Sequence, residues 1–285
     1  MHVLVHGGAG NEPEEPEPRQ SILDRAAEEG TGAEAPLDAV EAAIGVLESS
    51  PRFNAGVGGA IQSDGVPRTD AGMMTGRGDV GAVAAMEGVE HAASAARVVL
   101  EDTPHVLVAG DHAVALAEDF GVETGVELRS ERSRERWADA PAPPDAGPGA
   151  QLEWVRERFG GSDTVGAVAT DGEQLAAATS TGGRWFALAG RVGDVPQVGS
   201  GFYASPTGAA SATGAGEDIA KVTLTRMAVD QLEAGVGPQA AADRAIETLE
   251  ERTGSRAGVI VVDREGSRGS AFNSAEMQTA AASLD

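Results

Sequence analysis

The sequence predicts an α+β fold built in layers. Strand-like and helix-like runs gather in clusters along the chain, whereas a doubly wound sheet would alternate them one for one. At 285 residues and 41% hydrophobic content the chain can bury one large core or two modest ones. No internal repeat at a fixed period points to a solenoid. A single domain over residues 1–285 accommodates the pattern.

Val3 to Val5 is an apolar run expected to form a buried strand, ending in the turn His6-Gly7-Gly8-Ala9-Gly10. A Glu/Pro-rich loop runs through Pro18, and a helix follows. Pro36 suits the first position of a second helix, because its fixed φ is already helical and its missing N–H would be unpaired there. Leu37, Val40, Ile44 and Leu47 recur at spacings of three and four and give that helix one apolar face up to about Glu48. Pro51 to Gly59 is too rich in glycine for a helix and reads as a loop. Strands are expected at 70–75 and 80–85, then helices at 92–101 and 111–120.

From about Ser130 to Gly149 the chain turns to mixed charges and then to Pro141-Ala142-Pro143-Pro144, a pattern that neither buries a face nor extends a helix. It reads as the flexible segment of a linker reaching residue 163, with a short helix from Gln151 to Phe159 inside it. Strands at 165–170 and 175–179, helices at 217–234 and 238–252, and strands at 259–262 and 270–272 complete the reading.

Forty-five acidic residues face 21 basic ones, a formal net charge of -24. Such a surface repels nucleic acid and anionic membranes, so neither is an expected partner. Lys221 is the sole lysine. A carboxylate-rich surface nearly free of lysine is what adaptation to molar salt would produce, where the Debye length falls to about 3 Å; an ordinary acidic protein is the alternative. The chain has no cysteine, which excludes disulfides, thiolate zinc sites and a cysteine nucleophile. None of His2, His6, His91, His105 and His112 shows paired zinc-ligand spacing, so no catalytic metal is expected. No long apolar run is present, and Met1-His2 leads directly into Val3-Leu4-Val5 without a basic region or cleavage site. These features predict a soluble cytoplasmic protein.

Thr164 is the most informative residue. It opens the apolar run Val165 to Ala169 directly after the linker, so a cut before it would create an N-terminal threonine. A threonine hydroxyl is a poor nucleophile without a neighbouring base, and an N-terminal threonine brings its own, an α-amine of ordinary pKa about 7.7–8.0. A β-branched residue also simply opens a half-buried strand. The run alone leaves both readings open.

Three polar, glycine-flanked segments follow: Thr179 to Gly183, Gly190 to Asp194, and Thr213 to Glu217. The last could be a phosphate loop leading into a helix. Charge argues against it, since Glu217 and Asp218 occupy the first helical turn and no Gly-Lys-Ser/Thr element exists.

Together with Thr164, these segments resemble the plant-type asparaginase and isoaspartyl aminopeptidase family of N-terminal nucleophile hydrolases. His6 to Gly10, Phe53 to Gly58 and Pro104-His105-Val106 carry the resemblance through the first half. It implies a four-layer αββα sandwich of two antiparallel sheets between helices. A cut between Asp163 and Thr164 would yield chains 1–163 and 164–285, assembled as a dimer of processed αβ heterodimers.

The same resemblance makes Thr164 the nucleophile and Thr181 its hydroxyl neighbour, with Asn54 steadying the threonine. Arg191 and Asp194 would hold the α-carboxylate and α-ammonium of an aspartyl group. The Thr213 hydroxyl and Gly214 amide would form the oxyanion hole, and the Gly216 carbonyl would help receive the ammonium. Backbone carbonyls of Leu47, Glu48, Ser50, Phe53, Ala55 and Val57 would wrap a sodium or potassium ion, with no catalytic cofactor. The expected substrates are asparagine and β-aspartyl dipeptides. Asp163 departs from the glycine common in that branch and matches the related glycosylasparaginases, which keeps a glycosylasparaginase as the alternative, beside an unprocessed, non-catalytic member. Ala215 departs from a frequent threonine.

Overall fold

The structure, a computed structural model, describes residues 1–161 and 163–284. Two sheets lie face to face between two layers of helices. The larger has seven strands in the order β11 (Glu276–Ser283), β1 (His2–Gly10), β5 (Val165–Thr170), β6 (Leu175–Thr181), β2 (Thr69–Thr75), β3 (Val80–Met86) and β4 (Leu107–Ala109). The smaller orders β10 (Arg268–Phe272), β9 (Ala257–Asp263), β8 (Gly208–Gly214) and β7 (Phe202–Ala204). All pairings are antiparallel except β3 with β4, which is parallel, so the larger sheet departs from the expected all-antiparallel pattern at one edge.

Side chains alternate faces along each strand, and this alternation builds three apolar layers. Val165, Ala167 and Ala169 of β5 join Ala176 and Ala178 of β6 under helices α1 (Pro16–Thr31), α2 (Pro36–Glu48) and α3 (Ala92–Asp102). Val168, Ala177, Phe202, Ile260 and Val262 fill the space between the sheets. Val259 and Val261 of β9 pack on the far side against α8 (Leu224–Glu233) and α9 (Pro238–Thr253). The order helix, sheet, sheet, helix is the expected αββα sandwich.

Several local expectations change. His6 to Gly10 is not a turn; it stays in β1, paired to β11 and β5, because a register shift between His6 and Ala9 absorbs the glycines. Gly8 in that bulge has φ +112, and a Cβ there would lie 2.8 Å from an Asp163 carboxylate oxygen, so glycine is required. The segment expected to carry no helix forms α5 (Glu131–Asp139), capped by the Ser130 hydroxyl accepting from the Ser133 amide at 3.2 Å. Trp137 replaces an apolar stripe as its anchor, packing against Trp154 and Phe186. Trp154 lies on α6 (Pro148–Arg158), which starts three residues before the expected short helix. The single helix expected over 217–234 is two, α7 (Gly216–Val222) and α8, divided at Thr223 with φ +52. The remaining helix, α4 (Asp111–Asp119), matches its expected span.

Candidate active site

The site sits where strands of the two sheets end together. Val165 pairs with Ser180, and Asp70 with Thr181, so Thr164, Thr181 and Asp70 form a row across β5, β6 and β2. All three are buried. Thr164 Oγ1 donates to Thr181 Oγ1 at 3.3 Å, and Thr181 Oγ1 donates to the Asp163 carbonyl at 3.3 Å. The Gly183 amide supplies a further bond to Thr181 Oγ1 at 3.1 Å, fixing that hydroxyl's orientation.

Asn54 reaches the same carbonyl from the loop after α2. Its Nδ2 donates to the carbonyls of Asp163 and Gly183 at 2.6 Å each, while its Oδ1 accepts from the Ala60 amide at 2.8 Å. The carbonyl preceding Thr164 is therefore gripped by two donors beside the threonine hydroxyl. A developing oxyanion would be stabilised there.

Thr164, Thr181, Arg184, Arg191, Asp194 and Gly214 line one small pocket. Arg191 Nε and Nη2 each stand 2.8 Å from Glu217 Oε1, which fixes one edge of the guanidinium. Burial pushes the Asp194 carboxyl up to about 6, partly offset by Arg191, and its Oδ2 has no hydrogen-bond partner among the described residues. A buried carboxylate oxygen without a donor is costly, and a ligand ammonium would satisfy it. A Cβ on Gly216 would lie 2.5 Å from Asp194 Oδ1 and 2.9 Å from Arg191 Nη2, so glycine lets the start of α7 approach both.

The other expected residues fall nearby. Thr213 Oγ1 accepts from the Ala9 amide at 3.3 Å in the space between the sheets, whereas Gly214 lines the pocket itself. In the ion loop, Leu47, Ser50 and Ala55 carbonyls accept amides of their own turns. A Cβ on Gly56 would meet the Glu48 carbonyl oxygen at 2.2 Å, and one on Gly58 the Phe53 carbonyl oxygen at 1.8 Å. The Glu48 and Phe53 oxygens thus lie close against the turn that also includes Val57, and backbone carbonyls are hard oxygen donors of the type an alkali cation takes. The Glu48 side chain turns away and is buried against Ser180 Oγ at 2.5 Å and the Ala93 amide at 3.1 Å.

Several polar groups that the fold brings together here have no role assigned from the sequence. Asp70 accepts from the Ala85 amide at 2.7 Å, and burial pushes its carboxyl up to about 7. Glu217 ties Arg191 to Arg184, its second oxygen lying 3.1 Å from Arg184. His6, held neutral by burial with its pKa pushed down to about 3, sits 3.0 Å from Ser211 Oγ, which lies 2.8 Å from Thr179 Oγ1. Strand register could have found Asp70; the others depend on loops and on which sheet packs where.

The sequence profile of the family described as Asparaginase matches residues 1–285, the whole chain. The chain belongs to the asparaginase family. Within it, the chain is 40% identical over 291 residues to an isoaspartyl peptidase/L-asparaginase of Danio rerio, covering 98% of this chain and 91% of that one. It is similar to plant-type L-asparaginases of Pyrococcus abyssi, 39% identical with 98% and 95% covered, and of Pyrobaculum calidifontis, 41% identical with 96% and 94% covered. Membership in the asparaginase family makes this protein an amidohydrolase. Among the described residues no helix is long and apolar enough to cross a membrane.

Proposed function

We propose that the chain cuts itself between Asp163 and Thr164 and then hydrolyses the β-amide of asparagine and of β-aspartyl dipeptides, the activities named in its relatives. The observation that carries this reading is the Asp163 carbonyl, gripped by Asn54 and Thr181 beside the Thr164 hydroxyl. In the first round Thr164 Oγ attacks that carbonyl, the peptide C–N bond breaks as an ester forms, and the proton ends on the freed α-amine. Water then cleaves the ester, leaving a carboxylate on Asp163 and an N-terminal threonine on the chain 164–285.

In the second round the α-amine takes the hydroxyl proton and Oγ attacks the substrate's side-chain carbonyl. Arg191 holds the α-carboxylate and Asp194 the α-ammonium, with the Gly216 carbonyl beside it, so only a β-linked carbonyl reaches Thr164. Gly214 and Thr213 serve the oxyanion; the proton passes to the leaving nitrogen, and water releases aspartate. No catalytic cofactor takes part. A sodium or potassium ion bound by the 47–57 carbonyls would stiffen the loop that presents Asn54. We place the processed enzyme in the cytoplasm as a dimer of αβ heterodimers.

The test is intact mass followed by turnover. Purified protein should appear as two fragments meeting at Asp163/Thr164 without added protease and should release ammonia from asparagine. Thr164→Ala should remain one chain with no turnover. Cleavage of that variant at the same bond would refute the self-catalysed step.

A further inference from the structure

A second, larger cavity adjoins the small pocket, and asparagine hydrolysis gives it no task. It measures about 760 Å³, and Asp163 lines both spaces while Asn54 lines the larger one. The aspartyl part of a substrate is expected in the small pocket between Arg191 and Asp194. The group that leaves must then extend away from that pocket, past Asn54 and into the larger cavity. Ammonia, the size of a water molecule, needs no such room; a cavity of several hundred cubic ångström is the scale of an organic ligand.

Three arginines without a carboxylate at contact distance among the described residues line this cavity in a protein whose formal net charge is -24. Arg19, Arg132 and Arg136 line it, and among the described residues none of the three has an ion-pair partner at contact distance. Arg19 is only 8% exposed, its Nε is buried without a hydrogen-bond partner, and its Nη2 is held by the Gly7 carbonyl with the guanidinium over the Phe53 ring. The Arg136 guanidinium is stacked 4.3 Å from the Trp185 ring. The glutamates on the same cavity, Glu12, Glu14, Glu15 and Glu131, are exposed, as are Arg132 and Arg136, while Arg19 is buried; Glu15 is paired with Arg52.

The uncut chain already places a carboxylate among these arginines. The Asp163 side chain, one residue before Thr164, lies in the fields of Arg19, Arg132 and Arg136, which oppose the upward push of burial on its pKa. The cavity is thus electrostatically suited to a carboxylate a few bonds from the reacting carbonyl.

We infer that this cavity is the leaving-group subsite of the Thr164 centre and that it selects a leaving amino acid with a free carboxylate, which Arg132 and Arg136 read from one side and Arg19 from the other. The inference rests on the proposed amidohydrolase function and adds to it a preference among substrates. A β-aspartyl dipeptide carries that carboxylate; asparagine and a dipeptide with an amidated C-terminus do not.

The experiment compares kcat/KM of the processed enzyme on three probes, asparagine, β-aspartyl-leucine and β-aspartyl-leucine amide, with a glycosylated asparagine as a further control. The wild type should favour the acid over the amide by about tenfold, the scale of one charge-assisted contact. Arg132→Gln combined with Arg136→Gln, both on the exposed side of α5, should bring that ratio close to one while asparagine turnover changes little. Arg136→Lys, which keeps the charge, should retain most of the preference. Equal rates on acid and amide by the wild type would overturn the subsite. So would a parallel loss on all three probes in the double variant, or faster cleavage of a glycosylated asparagine than of the dipeptide acid. A wild type that is processed yet hydrolyses none of the probes would instead overturn the underlying functional reading.

Discussion

Asn54 holds the Asp163 carbonyl through its side-chain amide at 2.6 Å, and the same Nδ2 holds the Gly183 carbonyl at the same distance. One amide therefore ties the bond before Thr164 to the turn after β6, where Thr181 ends the strand. The loop that carries Asn54 is fastened in turn by the Ala60 amide and by the Gly182 amide donating to the Asn54 carbonyl at 2.9 Å. These contacts fix the position of the carbonyl before Thr164.

Removal of that donor should slow self-cleavage before it affects folding. Asn54→Ala should cut between Asp163 and Thr164 about 100 to 1000 times more slowly, the cost of one lost oxyanion donor. The half-time for appearance of the two fragments, followed by mass spectrometry from freshly made protein, measures it. An unchanged half-time would remove Asn54 from the mechanism.

Arg191 and Glu217 should separate recognition from positioning. Arg191→Ala removes the proposed partner of the substrate carboxylate and should lose about ten- to more than a hundred-fold in kcat/KM on asparagine. Glu217→Gln keeps a hydrogen-bond acceptor but loosens the guanidinium, so KM should rise while kcat stays nearly constant. Gly216→Ala should raise KM as well, because its Cβ would lie 2.5 Å from Asp194 Oδ1. Steady-state kinetics on processed protein decides each case.

Two buried carboxyls make opposite pH statements. Asp194 must be ionised to hold an ammonium, and with its pKa pushed up to about 6, kcat/KM should fall as the pH drops through about 6. Asp70 bears on stability. Its carboxyl moves from an ordinary 3.8 to about 7 in the folded chain, so the folded state holds its proton more tightly than the unfolded one. That contribution is complete below about 3.8 and is lost as the pH rises toward 7. Asp70→Asn, which can still accept from the Ala85 amide, should therefore gain in Tm relative to the wild type between pH 5 and pH 8. A constant Tm difference over that range would show that Asp70 does not titrate there.

Salt should act on stability and on encounter. A body of formal charge -24 repels both itself and an anionic substrate, and molar salt collapses that field to about 3 Å while sparing contact pairs in the pocket. Tm and kcat/KM should rise together from dilute to molar salt. Chlorides of sodium, potassium and a bulky organic cation at equal ionic strength separate screening from binding at the 47–57 carbonyls, since only binding distinguishes the cations. Maximal Tm and activity in dilute buffer would refute both ideas.

The α+β class, most element positions and the likeness of Thr164, Arg191 and Asp194 to a known site were legible in the residue order, because hydrophobic periodicity and glycine-flanked motifs are local signals. Strands β8 and β11 were not. They are built largely from alanine, glycine, serine and threonine, with little of the β-branched and aromatic content that marks strands, and pairing with β9 and β1 makes them strands. Helix α5 hid for the complementary reason, since a single indole and a serine cap replace an apolar stripe. Only the tertiary structure brought Asp70 into the row with Thr164 and Thr181, placed Glu217 between two arginines, and enclosed Arg19 beside Asp163. Those relationships join residues far apart in the chain, so their energies depend on sheet register and loop closure, quantities that no local pattern encodes.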